Sequence, residues 1–87
     1  MEMQSAERVA VMNRIKRAQG QLAGVLRMIE GAREVEDILH QLKAVTCALD
    51  RAGLAMIADE WRRAAARDEG PTVDDLDRVE RLFISLG

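Results

Sequence analysis

This sequence predicts an all-α protein, on three observations. Its hydrophobic residues, 48% of the chain, are almost entirely aliphatic, with one Trp, one Phe and no Tyr. A core of Leu, Ala, Val, Ile and Met suits helices. Proline occurs once and glycine six times, which supplies little of the turn chemistry a sheet requires. Two long segments place apolar residues at alternating steps of four and three, the repeat of a single helix face.

The first helix is expected over 5–30. Its stripe is Val11, Ile15, Ala18, Leu22, Val25 and Ile29. Ser5 is a candidate cap, with Glu7 placed to meet the positive end of the helix dipole. Gly20 and Gly24 lie inside this helix and cost it about 1 kcal/mol each relative to Ala. Either they let another helix approach closely or they are tolerated; the sequence leaves both open. Gly31 is expected to close the helix in a left-handed conformation.

The second helix is expected over 34–67, with the stripe Ile38, Leu42, Val45, Leu49, Ala52 and Met56. Glu34, Glu36 and Asp37 open it and Arg62, Arg63 and Arg67 close it, both favourable to the dipole. The segment DEGPT then interrupts helix formation. Thr72 and Asp75 resemble a capping box with Asp in place of Glu. The last helix, 73–86, presents Leu76, Val79, Phe83 and Leu86 on one face.

At 87 residues the chain forms one domain, 1–87. A domain of this size is marginal alone. Two long helices joined tightly make an antiparallel hairpin, and a lone hairpin leaves half of each stripe wet. Two hairpins packed as a four-helix bundle bury it, so at least a dimer is expected. A single cysteine excludes an internal disulfide framework and fits a reducing compartment. No apolar run approaches the roughly 20 residues of a membrane span. MEMQSAER lacks a basic region followed by an apolar run, so a cytoplasmic location is expected.

The net charge of −2 conceals an asymmetry. RVAVMNRIKR holds Arg8, Arg14, Lys16 and Arg17 with no acid between them, while the tail carries Asp68, Glu69, Asp74, Asp75, Asp77 and Glu80. Charge position matters more than charge sum when the partner is a polyanion. Arg14, Lys16 and Arg17 fall within about one turn, and an antiparallel hairpin would bring Arg51 near Arg14. This basic face is a candidate for phosphate contact, with Arg8 and Lys43 as secondary candidates. No helix-turn-helix or zinc-finger signature is present, so phosphate contacts and DNA shape are expected to carry much of the affinity.

RIKRAQGQLAGVLRMIE (14–30) and DILHQLKAVTCALDRAGLAM (37–56) strongly resemble the CsoR/RcnR family of bacterial metal- and stress-sensing repressors, in order and spacing. The resemblance implies a three-helix protomer, a four-helix-bundle dimer and a dimer-of-dimers tetramer. It also implies a repressor that leaves operator DNA on binding an inducer. Arginines at the positions of Arg14 and Arg51 belong to the operator surface in that family.

The same resemblance places inducer ligands at Val35 of one protomer and at Glu60 and Ala64 of another, where metal-sensing members carry Cys and His. Valine and alanine coordinate nothing, and copper(I) requires soft ligands, so no metal and no cofactor is expected. Formaldehyde sensors use the cysteine at the position of Val35 as a nucleophile, and persulfide sensors link two cysteines; neither chemistry is provided. His40 and Cys47, the only histidine and cysteine, lie seven residues apart. That is about 10.5 Å along one helix, too far for a shared metal with bonds of about 2.0–2.3 Å. Cys47 is read as a small buried hydrophobe, with a redox role if it is exposed. Val35, Trp61 and Ala64 are a candidate apolar pocket for a small-molecule inducer, with Glu60 as its polar anchor.

The expected function is a cytoplasmic DNA-binding repressor whose inducer is not a metal at the usual site. The alternative is an oligomeric protein-interaction module on the same scaffold. No Ser/His/Asp set or phosphate loop suggests an enzyme.

Overall fold

The structure, a computed structural model, describes residues 5–87. Three helices follow in order: α1 (Ser5–Glu30), α2 (Val35–Ala65) and α3 (Val73–Leu86). The side chain of Ser5, the candidate cap, lies outside the described residues. The second helix is two residues shorter at its end than the sequence suggests, and Glu34 is its cap residue rather than its first turn. Helices α1 and α2 form the antiparallel hairpin, and α3 packs on α2 alone.

The hairpin turn corrects the assignment at Gly31. The left-handed residue is Ala32, with φ 54°. The Ala32 amide donates to the Ile29 carbonyl (3.1 Å) and the Arg33 amide to the Met28 carbonyl (3.0 Å). These two bonds make a Schellman closure with Ala32 in the position that usually favours glycine. Gly31 instead continues the helix by donating to Arg27. Glycine identity alone therefore misplaced the cap by one residue.

The four-three stripes split into two functions. Val11, Ala18 and Val25, seven residues apart, are buried, as are Val45 and Ala52 on α2. These small side chains form the seam inside the hairpin. The alternating members stay wet: Ile15 is 39% exposed, Leu22 45%, Leu42 38% and Leu49 43%. Ile15, Leu22 and Leu49 line one shallow apolar groove with Ala18, Gln19 and Val45. The chain exposes 6549 Å². A compact monomer of 9.7 kDa exposes about 5,100 Å². The excess is that of an elongated hairpin rather than a compact monomer.

The buried α2 series continues by seven from Val45 and Ala52 to Asp59, which is only 2% exposed. Its carboxylate pairs with Arg63 at 3.3 Å and with Arg62 at 4.0 Å. A carboxylate this buried depends on that pairing.

The connection to α3 bears out the capping box. The Thr72 hydroxyl accepts from the Asp75 amide (3.1 Å), and the Asp75 carboxylate accepts from the Thr72 amide (2.8 Å). Gly70, with φ 74°, makes the turn that only glycine adopts freely. Arg67 adds an ion pair to Asp75. The bond from the Thr72 amide is the main influence holding the Asp75 carboxyl below the usual carboxylate range, aided by the Thr72 hydroxyl and Arg67. Near its end α3 comes close to Gly53, where a Cβ would lie 2.6 Å from a Leu86 methyl.

Candidate nucleic-acid interface

The two sides of the hairpin differ because the flanks of each seam residue differ. On one flank, the step of three or four from Ala18 and Val45 reaches Ile15, Leu22, Leu42 and Leu49. On the other it reaches Arg14, Gln21, Gln41 and Ala48. In an antiparallel pair, matching flanks of the two helices fall on one side. The structure bears this out. Arg14, Arg17 and Gln21 of α1 line one groove with Ala44, Cys47, Ala48 and Arg51 of α2, about 280 Å³ in volume. Ala44 and Ala48 leave room between the guanidinium groups. No acid lines this groove, and among the described residues no ion pair neutralises Arg14, Arg17 or Arg51.

Three of the four expected basic residues are thus gathered. Lys16 is exposed but is not part of the groove. Its step of two from Arg14 turns it away, so the basic turn divides between two faces. Arg8 and Lys43 are exposed and lie outside the groove as well. Guanidinium groups suit phosphate, which they contact through paired N–H donors. The arrangement can therefore hold a polyanion without reading its sequence.

Cys47 corrects a second expectation. It is half-buried and sits in the basic groove rather than at the apolar seam. His40 is exposed and does not line that groove.

Val35, Glu60 and Ala64 are not brought together within a protomer. Val35 opens α2, 63% exposed, and Ala64 is buried near the other end. The separation from Val35 to Glu60 is about 37 Å along one helix. A pocket of Val35, Trp61 and Ala64 would therefore need Val35 from a second protomer. Glu60 instead borders a different cavity of about 310 Å³, walled by Met56, Ile57, Leu82 and Leu86 between α2 and α3. Its carboxylate pairs with Arg63 on its own helix and with Arg78 of α3 at 3.6 Å. Valine and alanine supply no metal donor, and this carboxylate is already engaged by two guanidinium groups. The residues present do not fit a copper site at these positions. Among the described residues, no group of three or more His, Cys, Asp or Glu side chains is placed to hold a metal.

Sequence reasoning missed Asp59, Arg78 and the groove residue Gln21. Asp59 could have been found, because the seven-residue series 45, 52, 59 points to it. Arg78 could not, because its partner depends on how α3 meets α2.

Over 62 residues the chain is 36% identical to the copper-sensing transcriptional repressor CsoR of Bacillus subtilis, covering 71% of this chain and 61% of that protein. It is 42% identical over 48 residues to the copper-sensing repressor CsoR of Mycobacterium ulcerans, 55% of this chain and 41% of that protein. It is 34% identical over 64 residues to the copper-sensing repressor RicR of Mycobacterium tuberculosis, 70% of this chain and 67% of that protein. The chain thus spans less than two thirds of the length of the first two relatives. No solved structure gives a significant match. Among the described residues, no helix is long and apolar enough to cross a membrane. From residue 7 to residue 84 the sequence matches the metal-sensitive transcriptional repressors, and the chain belongs to that family.

Proposed function

We propose that this protein is a cytoplasmic DNA-binding transcriptional repressor that holds its operator through the Arg14–Arg17–Arg51 side of the hairpin. The observation that carries this reading is the groove in which both helices contribute arginines and no acid. It assembles through the opposite side, where Ile15, Leu22, Leu42 and Leu49 are exposed. Each is 38–45% exposed, so covering it contributes roughly 1 kcal/mol, and the four on each copy together favour association. A dimer, and a tetramer built from two of them, follow the family's pattern.

The inducer is not a metal bound through Cys and His, because Val35, Glu60 and Ala64 stand at those positions. The α2–α3 cavity supports a small organic inducer, with apolar walls and the Glu60–Arg78 pair at its edge.

The test is an electrophoretic shift with duplex DNA from the protein's own upstream region, with and without copper(I) and nickel(II). Binding is expected, and neither metal is expected to release it. Release by either metal would overturn the inducer reading. A second reading, an oligomeric interaction module, is favoured by the exposed Val73, Phe83 and Ile84 of α3. Stable assembly without any DNA shift would select it.

A further inference from the structure

Gly20 and Gly24 stand inside α1 with ordinary helical backbone. Nothing in the protomer requires their flatness. A Cβ at Gly20 would meet nothing within 4 Å, and one at Gly24 would meet only the Arg27 guanidinium at 3.6 Å, an ordinary contact. So α2 presses on neither. Both line a groove of about 590 Å³ together with Arg17, Gln21, Arg27 and Arg33. Arg17 and Gln21 also line the groove of Arg14 and Arg51. The two grooves share a wall and run along the same polar side.

This longer groove is uniformly cationic. No acid lines it. Arg17 and Arg27 have no ion-pair partner among the described residues, and Arg33 reaches only Asp37, at 4.0 Å with both side chains exposed. From Arg14 to Arg27 the helix rises about 20 Å, the axial length of roughly six base pairs. Charge complementarity therefore points to a nucleic-acid backbone. A second helix packed on the glycines would bring its apolar face against arginines, and the apolar groove lies on the other side.

We infer that the DNA surface continues past Arg14, Arg17 and Arg51 to Arg27 and Arg33. It forms a track for one phosphate strand of duplex DNA, with Gly20 and Gly24 as its bare floor. Glycine is used where a ligand backbone approaches closely, and arginine forks bind phosphate on either side of that approach. This extension rests on the operator-binding reading above.

The test measures binding of upstream duplex DNA across a range of salt for wild type, Gly20→Ala, Gly24→Ala, Arg27→Gln and Arg33→Gln. Thermal melting and sedimentation accompany each variant. Arg27→Gln and Arg33→Gln are expected to weaken binding several-fold and to lower the salt slope by about 0.9 each, with assembly unchanged. Gly20→Ala and Gly24→Ala are expected to melt higher, because alanine favours helix, and yet to bind DNA more weakly. Higher melting with unchanged binding would overturn the glycines as the floor of the track, and unchanged binding by Arg27→Gln and Arg33→Gln as well would end the track at Arg17. A changed assembly state would assign the glycines to a second copy of the chain, which also overturns the inference. Arg14→Ala and Arg51→Ala separate the two levels. If they weaken binding and the other four variants do not, only the extension fails. If they bind like wild type, or wild type does not bind, the operator reading fails and takes the extension with it.

Discussion

The two sides of the α1–α2 hairpin are built from the same seam and differ only in what flanks it. One flank carries Ile15, Leu22, Leu42 and Leu49, and the other Arg14, Arg17, Gln21 and Arg51. The apolar side has exposed area and no charge to hold it in water. The basic side has exposed charge and no partner of opposite sign among the described residues. Each is incomplete in a different currency, so each calls for a different partner. The apolar side fits a second hairpin and the basic side a polyanion. The division of labour lets a chain with net charge −2 present a cationic surface on one side.

That contrast can be broken one side at a time. The largest effect is expected on the apolar side. Leu22→Glu and Leu49→Glu place a charge where the proposed second copy would close, which costs several kcal/mol. Sedimentation should show loss of assembly over the concentrations at which wild type is associated. On the basic side, Arg14→Ala and Arg51→Ala should leave assembly intact and weaken duplex binding, about 1 kcal/mol or more each. Each should also lower the salt slope by about 1. If a basic-side variant dissociates the oligomer instead, the two sides are not separable as described.

Smaller changes test parts that serve both sides equally. Ala32→Gly relieves the left-handed strain at the hairpin turn and should raise stability by about 0.5–1 kcal/mol in thermal or urea unfolding, without altering DNA affinity. The smallest effect concerns α3, remote from both sides. The Asp75 carboxyl is held below its ordinary value by Thr72 and Arg67. A depressed folded pKa means the unfolded chain takes up the proton first. The stability it contributes is therefore full above the ordinary Asp value of about 3.9. It declines as pH falls toward the lowered folded value. Asp75→Asn should flatten that part of the acid unfolding curve; an unchanged curve would remove Asp75 from the account.

Much of this fold was legible in the sequence because helix periodicity and antiparallel pairing are both local rules. The stripes located α1 and α2. The exposed half of each stripe was expected from the hairpin alone. Thr72 and Asp75 marked the start of α3 through a reciprocal bond between near neighbours. The cap at Ala32 was not legible, because glycine at 31 was the stronger signal and the backbone chose the next residue. The proximity of Arg14 and Arg51 followed from chain direction. The place of Cys47 did not, because it depends on which flank of α2 turns to the arginines. The pairing of Glu60 with Arg78 depends on the docking of α3, which no periodicity specifies.

The most direct measurement is the affinity for upstream duplex DNA as a function of salt, for wild type and for Arg14→Ala and Arg51→Ala. The account predicts steep salt dependence in wild type and a slope lower by about one for each arginine removed. Equal slopes in all three proteins, or no duplex binding by wild type at low salt, would contradict it.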